Sequence, residues 1–245
     1  LKQFDPRALE HDMDPPPARG PAVEEIGREA FGVWRDIRVQ VSFVGETASA
    51  LLYAARHPGS VRWRDVWHIC ERVGVDALPI VALISFLLGM ILAFQSAVPM
   101  KRFGAEIFVA DLIGLAMLRE LGPLMTAIIV CGRSGAAFAA ELGSMKVGEE
   151  IDALRTMGFG SVRYLVLPRM LALVLVIPIL TLIADLVGIM GGYVVAVYRL
   201  GLSAPTFFHE LQSSLHVWDI TTGLIKSVAF GMTIALVSCQ QGFAA

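Results

Sequence analysis

Residues 77–100 read ALPIVALISFLLGMILAFQSAVPM, a stretch of 24 residues without a charged side chain. About 20 apolar residues in a helix are enough to cross the hydrocarbon core of a bilayer. The stretch therefore predicts a membrane-spanning helix. The whole chain agrees, because 245 residues that are 56% hydrophobic and 17% charged cannot hide their apolar surface in one soluble core. The net charge of −2 gives no indication of a nucleic-acid-binding surface.

Three further apolar stretches predict three more spans, at about residues 107–143, 165–198 and 220–243. The second span contains Pro123, so we expect a kink near that proline or an extension of the helix into the cytoplasm. Small residues recur at every fourth position along this span, and also at Gly188 and Gly192 in the third, which favours close helix packing. Between the last two spans, the segment 199–218 predicts a short helix outside the membrane.

Two regions precede the transmembrane domain, which is placed at residues 76–245. Residues 1–22 contain several prolines and are interpreted as a linker or tail. Residues 23–75 are predicted to form cytoplasmic or interfacial helices. Within them, a short helix at 61–73 carries tryptophans on one face and arginines on the other, which is typical of the membrane–water interface. The alternative is a soluble amphipathic helix packed on a domain.

Basic residues near the span ends predict how the chain crosses the membrane, because cytoplasmic loops carry more lysine and arginine. Eight of them lie before the first span or near the loop between the second and third: Arg62, Arg64, Arg72, Arg133, Lys146, Arg155, Arg163 and Arg169. Three lie in the other two loops: Lys101, Arg102 and Arg199. We therefore expect the N-terminus and the 144–164 loop to lie in the cytoplasm.

Enzyme motifs are scarce in this sequence. Gly132-Arg133-Ser134-Gly135 matches the GxSG pattern of intramembrane serine proteases, but such an enzyme needs a histidine base near the serine. All five histidines lie outside the predicted spans. There is no HExxH motif, no phosphate-binding loop of an ATPase and no CxxC pair. We predict no catalytic residue, no metal and no cofactor, so any ATP would be bound by a partner subunit.

Among the ionisable residues of the predicted spans, four are candidates for charges inside the membrane: Arg119, Glu120, Asp185 and Lys226. A charge near the bilayer centre is unfavourable unless it has a partner or an aqueous cavity. Arg119 and Asp185 lie at similar depth, so we predict that their side chains meet. Lys226 is shallower, and its amine is expected to extend outward to the interface. These residues form either a functional site or purely structural polar contacts between helices.

The loop from Met145 to Gly158 reads MKVGEEIDALRTMG and predicts an amphipathic helix over 146–157. Its apolar face comprises Val147, Ile151 and Leu154, and its polar face Glu149, Glu150, Asp152 and Arg155. One interpretation is a helix that lies on lipid headgroups. The acidic residues favour a protein partner instead, because the inner leaflet is negatively charged.

A series of short motifs covers roughly residues 60–245 and resembles the MlaE-type permeases of ABC lipid transporters that work with MCE-domain proteins. The motifs are Leu118-Arg119-Glu120-Leu121-Gly122-Pro123, Gly132-Arg133-Ser134-Gly135, Ala140-Glu141-Leu142-Gly143, Glu149-Glu150-Ile151-Asp152-Ala153-Leu154 with Met157-Gly158, Leu167-Pro168-Arg169, Gly191-Gly192 and Ile225-Lys226-Ser227. Any one of them is weak, but together and in this order they are highly specific.

The resemblance implies an all-α polytopic membrane protein of the bacterial inner (cytoplasmic) membrane, in which interfacial amphipathic helices precede at least four spans. It implies a homodimer that binds two ABC ATPase subunits through a cytoplasmic coupling helix at 146–157, with an MCE-domain protein on the periplasmic side. The predicted coupling residues are Val147, Glu149, Glu150, Ile151, Asp152, Leu154 and Arg155. Some family members carry a STAS domain, which makes a STAS-domain protein a further expected partner.

The family further implies that membrane phospholipids or related lipids enter a cavity at the dimer interface, lined by the first two spans. Helical face and depth then predict these substrate-binding residues: Leu88, Ile91, Leu92, Gln95, Leu115, Arg119 and Glu120. Family permeases continue past Gln241-Gly242-Phe243 into another span, so we expect that this final span is missing here. The alternative functions are an ion-coupled secondary transporter or channel that uses the intramembrane charges, and a membrane anchor for a signalling domain.

Overall fold

The computed structural model describes residues 22–158 and 160–244, and within them every regular element is helical. The predicted tail at residues 1–22 lies outside the described residues except for Ala22. The α-helices are α1 (Ala22–Arg56), α2 (Trp63–Phe103), α3 (Val109–Ala116), α4 (Gly122–Val130), α5 (Ala136–Val147), α6 (Glu150–Thr156), α7 (Leu167–Leu200), α8 (Ala204–Ser214) and α9 (Val217–Ala244). Short 3₁₀ turns at Pro58–Ser60 and Glu106–Phe108 flank α2.

Among the described residues, four helical stretches are long and apolar enough to cross a membrane: Trp63–Phe103, Glu106–Val147, Val162–Leu200 and Val217–Ala244. The predicted fold class, an all-α polytopic membrane protein, is confirmed. Because α7 separates them, α6 and α8 lie at opposite ends of the bundle, which we name the α6 end and the α8 end. The short helix expected within 199–218 is α8, which begins after Ser203, whose hydroxyl accepts the amide hydrogen of Thr206 at 3.3 Å.

The chain divides into two compact units, residues 1–44 and 45–245. The described part of the first unit is the helical segment 22–44 of α1. The second unit contains the remainder of α1 and all four spans. Its main core joins α2, α4, α5, α7 and α9 through apolar side chains such as Val81, Val130 and Leu173.

The closest helix packing joins α2 to α7. Every fourth residue of α2 from Val73 to Ala97 is buried. A Cβ atom built on Gly89 would overlap the carbonyl oxygen of Gly188, and one on Gly191 would overlap that of Phe86. Glycines at these positions therefore let the two backbones approach each other. The packing expected around Gly188 and Gly192 is observed.

The tryptophan-bearing segment 61–73 is not a separate short helix as predicted. It is the first part of α2, which continues without a break through the uncharged stretch for 41 residues. Gly74 and Pro79 are residues that often end a helix, yet both lie within α2. Val73 and Ala77 are both buried on the same face, so packing continues across this junction. The first span and the predicted interfacial helix therefore form one continuous helix.

Three π-helical turns interrupt the second and third spans: π1 (Met117–Leu121), π2 (Cys131–Gly135) and π3 (Val162–Val166). Pro123 follows π1 by two residues, and Pro168 follows π3 by two. A proline has no amide hydrogen, and its ring crowds the carbonyl four residues earlier. The wider turn relieves that crowding, because the amide before each proline bonds five residues back instead of four. The irregularity predicted at Pro123 takes this form.

Candidate functional site

The intramembrane charges meet where π1 packs against α9. The Lys226 ammonium donates to Glu120 Oε1 at 2.6 Å and to the carbonyl oxygen of Arg119 at 3.0 Å. In a regular helix, that carbonyl would accept from residue 123, which is proline and has no amide hydrogen. Lys226 therefore fills a hydrogen-bonding position that Pro123 leaves open. The prediction that Lys226 extends outward to the interface is wrong.

Arg119 forms an ion pair with Asp219, which lies just before the predicted start of the fourth span. Its Nε lies 3.8 Å from Asp219 Oδ1. The other oxygen of Asp219 accepts the backbone N–H of His216 at 3.0 Å, so this buried carboxylate also caps the first turn of α9. Because the fourth span was placed from residue 220, sequence reasoning did not consider Asp219.

The predicted contact between Arg119 and Asp185 is wrong, since no ion pair of the described residues joins them. Asp185 is only 4% exposed, and its Oδ1 has no hydrogen-bond partner in the described part of the chain. That oxygen packs against Gly122, where an added Cβ would overlap it. Asp185 thus packs against the residue that follows π1, while Arg119 and Glu120 form ion pairs with residues of α9.

Arg119, Glu120, Lys226 and Asp219 form a surface that we name the charged flank. The side chains of Arg119 and Glu120 are 51% and 66% exposed on the outside of the single chain. A Cβ on Gly223 of α9 would overlap the carbonyl oxygen of Leu118, so the two backbones touch beside these charges. Charged groups within spans normally face a protein interior or a water-filled cavity. The exposure of Arg119 and Glu120 is therefore unusual for a membrane-spanning segment.

The remaining residues predicted to bind substrate lie on α2 and α3 and avoid the buried face of α2. Ile91 and Gln95 are exposed, while Leu88, Leu92 and Leu115 are half-buried. Leu92 packs against the cluster that contains Met117 of π1. Leu92 of the first span thus lies next to the second span, whereas the other four side chains are exposed or half-buried. Their part in binding stays a prediction.

The predicted helix over 146–157 is broken into two. Helix α5 ends at Val147, Glu149 adopts a left-handed conformation with φ of 57°, and α6 begins at Glu150. Val147 is therefore 81% exposed, whereas Ile151 is 3% exposed, so the two do not share one apolar face. The sequence pattern failed here because the left-handed conformation of Glu149 turns the chain before the apolar positions complete a stripe.

The polar side of α6 matches the expectation more closely. Glu149, Glu150, Asp152 and Arg155 are all exposed, and Leu154 is half-buried. Arg155 and Asp152 form an ion pair at 3.5 Å within the helix. The loop presents an acidic, accessible surface at the α6 end.

Sequence reasoning missed a polar cluster at the base of this loop. The Arg169 guanidinium lies 3.0 Å from Glu141 Oε2 and donates to the carbonyl oxygen of Leu165 in π3 at 2.8 Å. Lys146 donates to the carbonyl oxygen of Phe243 at 2.7 Å and so links α5 to α9. Glu141 and Arg169 belong to motifs of the resemblance, and Arg169 is also one of the basic residues that predict the orientation, but the sequence predicts no contact between them. Their approach across two helices has no local signal, because they are 28 positions apart.

No group of three or more metal-binding side chains occurs among the described residues. Cys70, Cys131 and Cys239 are free thiols. The described residues offer paired charges on an exposed flank and an acidic loop at the α6 end.

Comparison with known proteins gives a match to the family described as "Permease MlaE" over residues 66–245. A probable ABC transporter permease protein of Rickettsia bellii is 41% identical over 171 residues, which cover 70% of this chain and 66% of the relative. The Haemophilus influenzae intermembrane phospholipid transport system permease protein MlaE is 35% identical over 172 residues, again 70% of this chain and 66% of the relative. The protein TRIGALACTOSYLDIACYLGLYCEROL 1, chloroplastic, of Arabidopsis thaliana is 34% identical over 210 residues, covering 86% and 58%. The chain thus spans 66% of the length of the bacterial relatives named here.

Proposed function

This chain belongs to the MlaE permease family, and from that premise we propose that it is the membrane-spanning subunit of an ABC transporter that moves phospholipids or related lipids. A separate ATPase subunit binds and hydrolyses the ATP. The names of the relatives support this proposal, since one is a phospholipid transport permease and another a probable ABC transporter permease. The observation that carries it is the charged flank, which lies open on the outside of a helix long enough to cross the membrane.

A second copy of the chain covers the charged flank in this proposal. Hydrocarbon cannot solvate Arg119 and Glu120, so their exposure in one chain requires a protein-walled cavity. Small residues on the same span are exposed at every fourth position and would allow close approach of a partner helix: Gly132, Ala136, Ala140 and Ser144. The homodimer then encloses a cavity between two charged flanks.

The paired charges of the flank suit a lipid headgroup. A phosphate can bind to the Arg119 guanidinium and the Lys226 ammonium, while a headgroup amine can bind to Glu120. The Lys226–Glu120 pair can exchange with a ligand, because exposed ion pairs contribute only about 0 to 1 kcal/mol. The Arg119 side chain is 51% exposed, and its Nε lies 3.8 Å from Asp219. The apolar residues predicted on α2 and α3 would contact the acyl chains: Leu88, Ile91, Leu92 and Leu115. Gln95 would lie at the polar edge of that surface.

The two ends of the bundle receive different partners. The N-terminus and α6 lie in the cytoplasm of a bacterial cell, and the ATPase subunit docks on the exposed face of α6 and Val147. The α8 end faces the periplasm and carries exposed Phe103, Tyr198 and Val217, an apolar surface that suits an MCE-domain protein. A STAS-domain protein is a further cytoplasmic partner under the same proposal.

The function is tested with the chain purified together with its ATPase subunit and reconstituted into liposomes that contain a fluorescent phospholipid. Lipid movement that requires ATP hydrolysis is expected. A chain that purifies without an ATPase and moves lipid or ions on an ion gradient alone would overturn the proposal. That result would favour the secondary transporter, which has weaker support because Asp185 shares no ion pair with Arg119.

A further inference from the structure

Arg169 lies in the first turn of α7 with its side chain only 8% exposed. Its guanidinium bonds to Glu141 of α5 and to the carbonyl of Leu165 in π3, and its Cζ lies 5.8 Å from the centre of the Phe138 ring. Its Nε has no hydrogen-bond partner among the described residues. A single carboxylate therefore balances this buried charge, and that carboxylate is 48% exposed. We name the Arg169–Glu141 pair the loop-base clasp.

The clasp closes the base of the loop that contains α6. Glu141 precedes the loop on α5 and Arg169 follows it on α7, so the ion pair joins the two stems. Motion of α6 relative to the bundle must pass through these stems. Because the guanidinium is planar and has donors on two sides, it holds α5 and π3 in a fixed relation to α7.

The other end of this connection reaches the charged flank. From Arg169 to Asp185, α7 is a continuous helix about 24 Å long that contains Pro178. Asp185 abuts Gly122, which directly follows π1, and an added Cβ there would overlap the carboxylate. A shift of α7 along its axis therefore presses on π1, where Arg119 and Glu120 are held. Packed elements of this kind transmit displacement because they cannot be compressed.

We propose that the loop-base clasp is the positioning element that transmits movement of α6 through α7 to the charged flank, and so couples ATP hydrolysis to lipid movement. This inference rests on the proposed function. The clasp touches neither lipid nor ATP. Its role is to make α5, π3 and α7 respond as one body when the ATPase subunit moves α6.

The test measures lipid moved per ATP hydrolysed in liposomes that contain the complex with its ATPase. E141Q keeps the shape of the side chain but removes its charge. E141L/R169M removes both charges with apolar groups of similar size, which restores a stable core without the ion pair. D65N is the matched control, because Asp65 in the first turn of α2 and Arg62, which precedes that helix, form an exposed ion pair at 3.0 Å at the α6 end.

E141Q and E141L/R169M are expected to retain bound ATPase and to hydrolyse ATP, while lipid moved per ATP falls between about two- and thirtyfold. D65N is expected to match the unaltered chain. If E141L/R169M moves as much lipid per ATP as the unaltered chain does, the proposed role of the clasp is overturned and the proposed function is unaffected. Loss of ATPase binding in both clasp variants would also overturn that role, because the pair would then act in docking. If the unaltered complex moves no lipid with ATP, the proposed function itself fails, and the clasp fails with it.

Discussion

The charged flank and the loop-base clasp are built from the same parts and differ in exposure. In each, a π turn precedes a proline by two residues, and a cation bonds to a carbonyl oxygen of that turn: Lys226 to Arg119 in π1, and Arg169 to Leu165 in π3. In π1, Pro123 has no amide hydrogen to donate to the carbonyl oxygen of Arg119, so this oxygen can accept a hydrogen bond from Lys226. The same local arrangement, a π turn whose carbonyl oxygen accepts a hydrogen bond from a cationic side chain, thus occurs at both sites.

What differs is the surroundings of the cation. Lys226 and its partner Glu120 are accessible, so water or a ligand can compete for them. Arg169 is enclosed by α5, α7 and π3, so its partner cannot be exchanged without leaving a buried charge. One site is suited to binding and release, and the other is suited to holding helices in register. Variants that remove a partner from each site therefore have different expected effects.

The largest expected effect is on stability at the clasp. E141A leaves Arg169 buried without a carboxylate, and we expect the free energy of unfolding to fall by about 3 kcal/mol. K226M on the charged flank is expected to lower it by no more than about 1 kcal/mol, because it breaks an accessible pair. Thermal unfolding in detergent, followed by circular dichroism, measures both. Equal losses in the two variants would remove the distinction between the sites.

The second expected effect is on transport at the flank. K226M removes the ammonium that bonds to Glu120 and to π1, and we expect ATP-dependent lipid transport to fall about tenfold because a charge-assisted contact to the headgroup is lost. Transport in reconstituted liposomes is the measurement. K146M is the control lysine variant, since Lys146 bonds to a carbonyl at the α6 end, away from the flank. Normal transport by K226M would exclude Lys226 from the lipid path.

The third effect concerns the π turns themselves. P123A supplies an amide hydrogen that can bond to the carbonyl of Arg119 in competition with Lys226, so the flank is expected to rearrange. We expect a change in unfolding free energy of at most about 1 kcal/mol and a several-fold loss of transport. P168A, the matched change beside π3, should alter transport less, because Arg169 bonds to Leu165 and not to the carbonyl that the proline leaves open. The opposite order would mean that π3 is the more mobile turn.

The spans could be predicted from sequence, and the partners of the charges could not. The uncharged stretch at 77–100 and the other apolar stretches predict four spanning helices, because length and apolarity are local properties. Arg119 was paired with Asp185 by depth alone, yet depth does not specify which face of a helix points to which neighbour. Asp219 and Gly122 decide that question, and their positions depend on how α9 and α7 pack around π1.

The loop that contains α6 also shows that local sequence patterns do not specify tertiary contacts. The spacing of Val147, Ile151 and Leu154 fits one helical face, and acidic residues do occupy the exposed side of α6. The left-handed conformation of Glu149 separates Val147 from that face, and a single turn of this kind outweighs periodicity. Glu141 and Arg169 meet only because α5 and α7 return to the same end of the bundle, which no short sequence window contains.

The smallest expected effect lies within α6. D152N removes an exposed ion pair with Arg155 between residues three positions apart, which is worth about 0.3 kcal/mol in a helix. We expect no measurable change in thermal unfolding, because the α6 end is held by the clasp and not by contacts inside this helix of seven residues. Affinity for the ATPase subunit should weaken by no more than about fivefold, as for loss of one exposed charge. If D152N instead destabilises the chain as much as E141A does, contacts within α6 and not the clasp stabilise this end of the bundle. The contrast between an exchangeable flank and a fixed clasp would then be wrong.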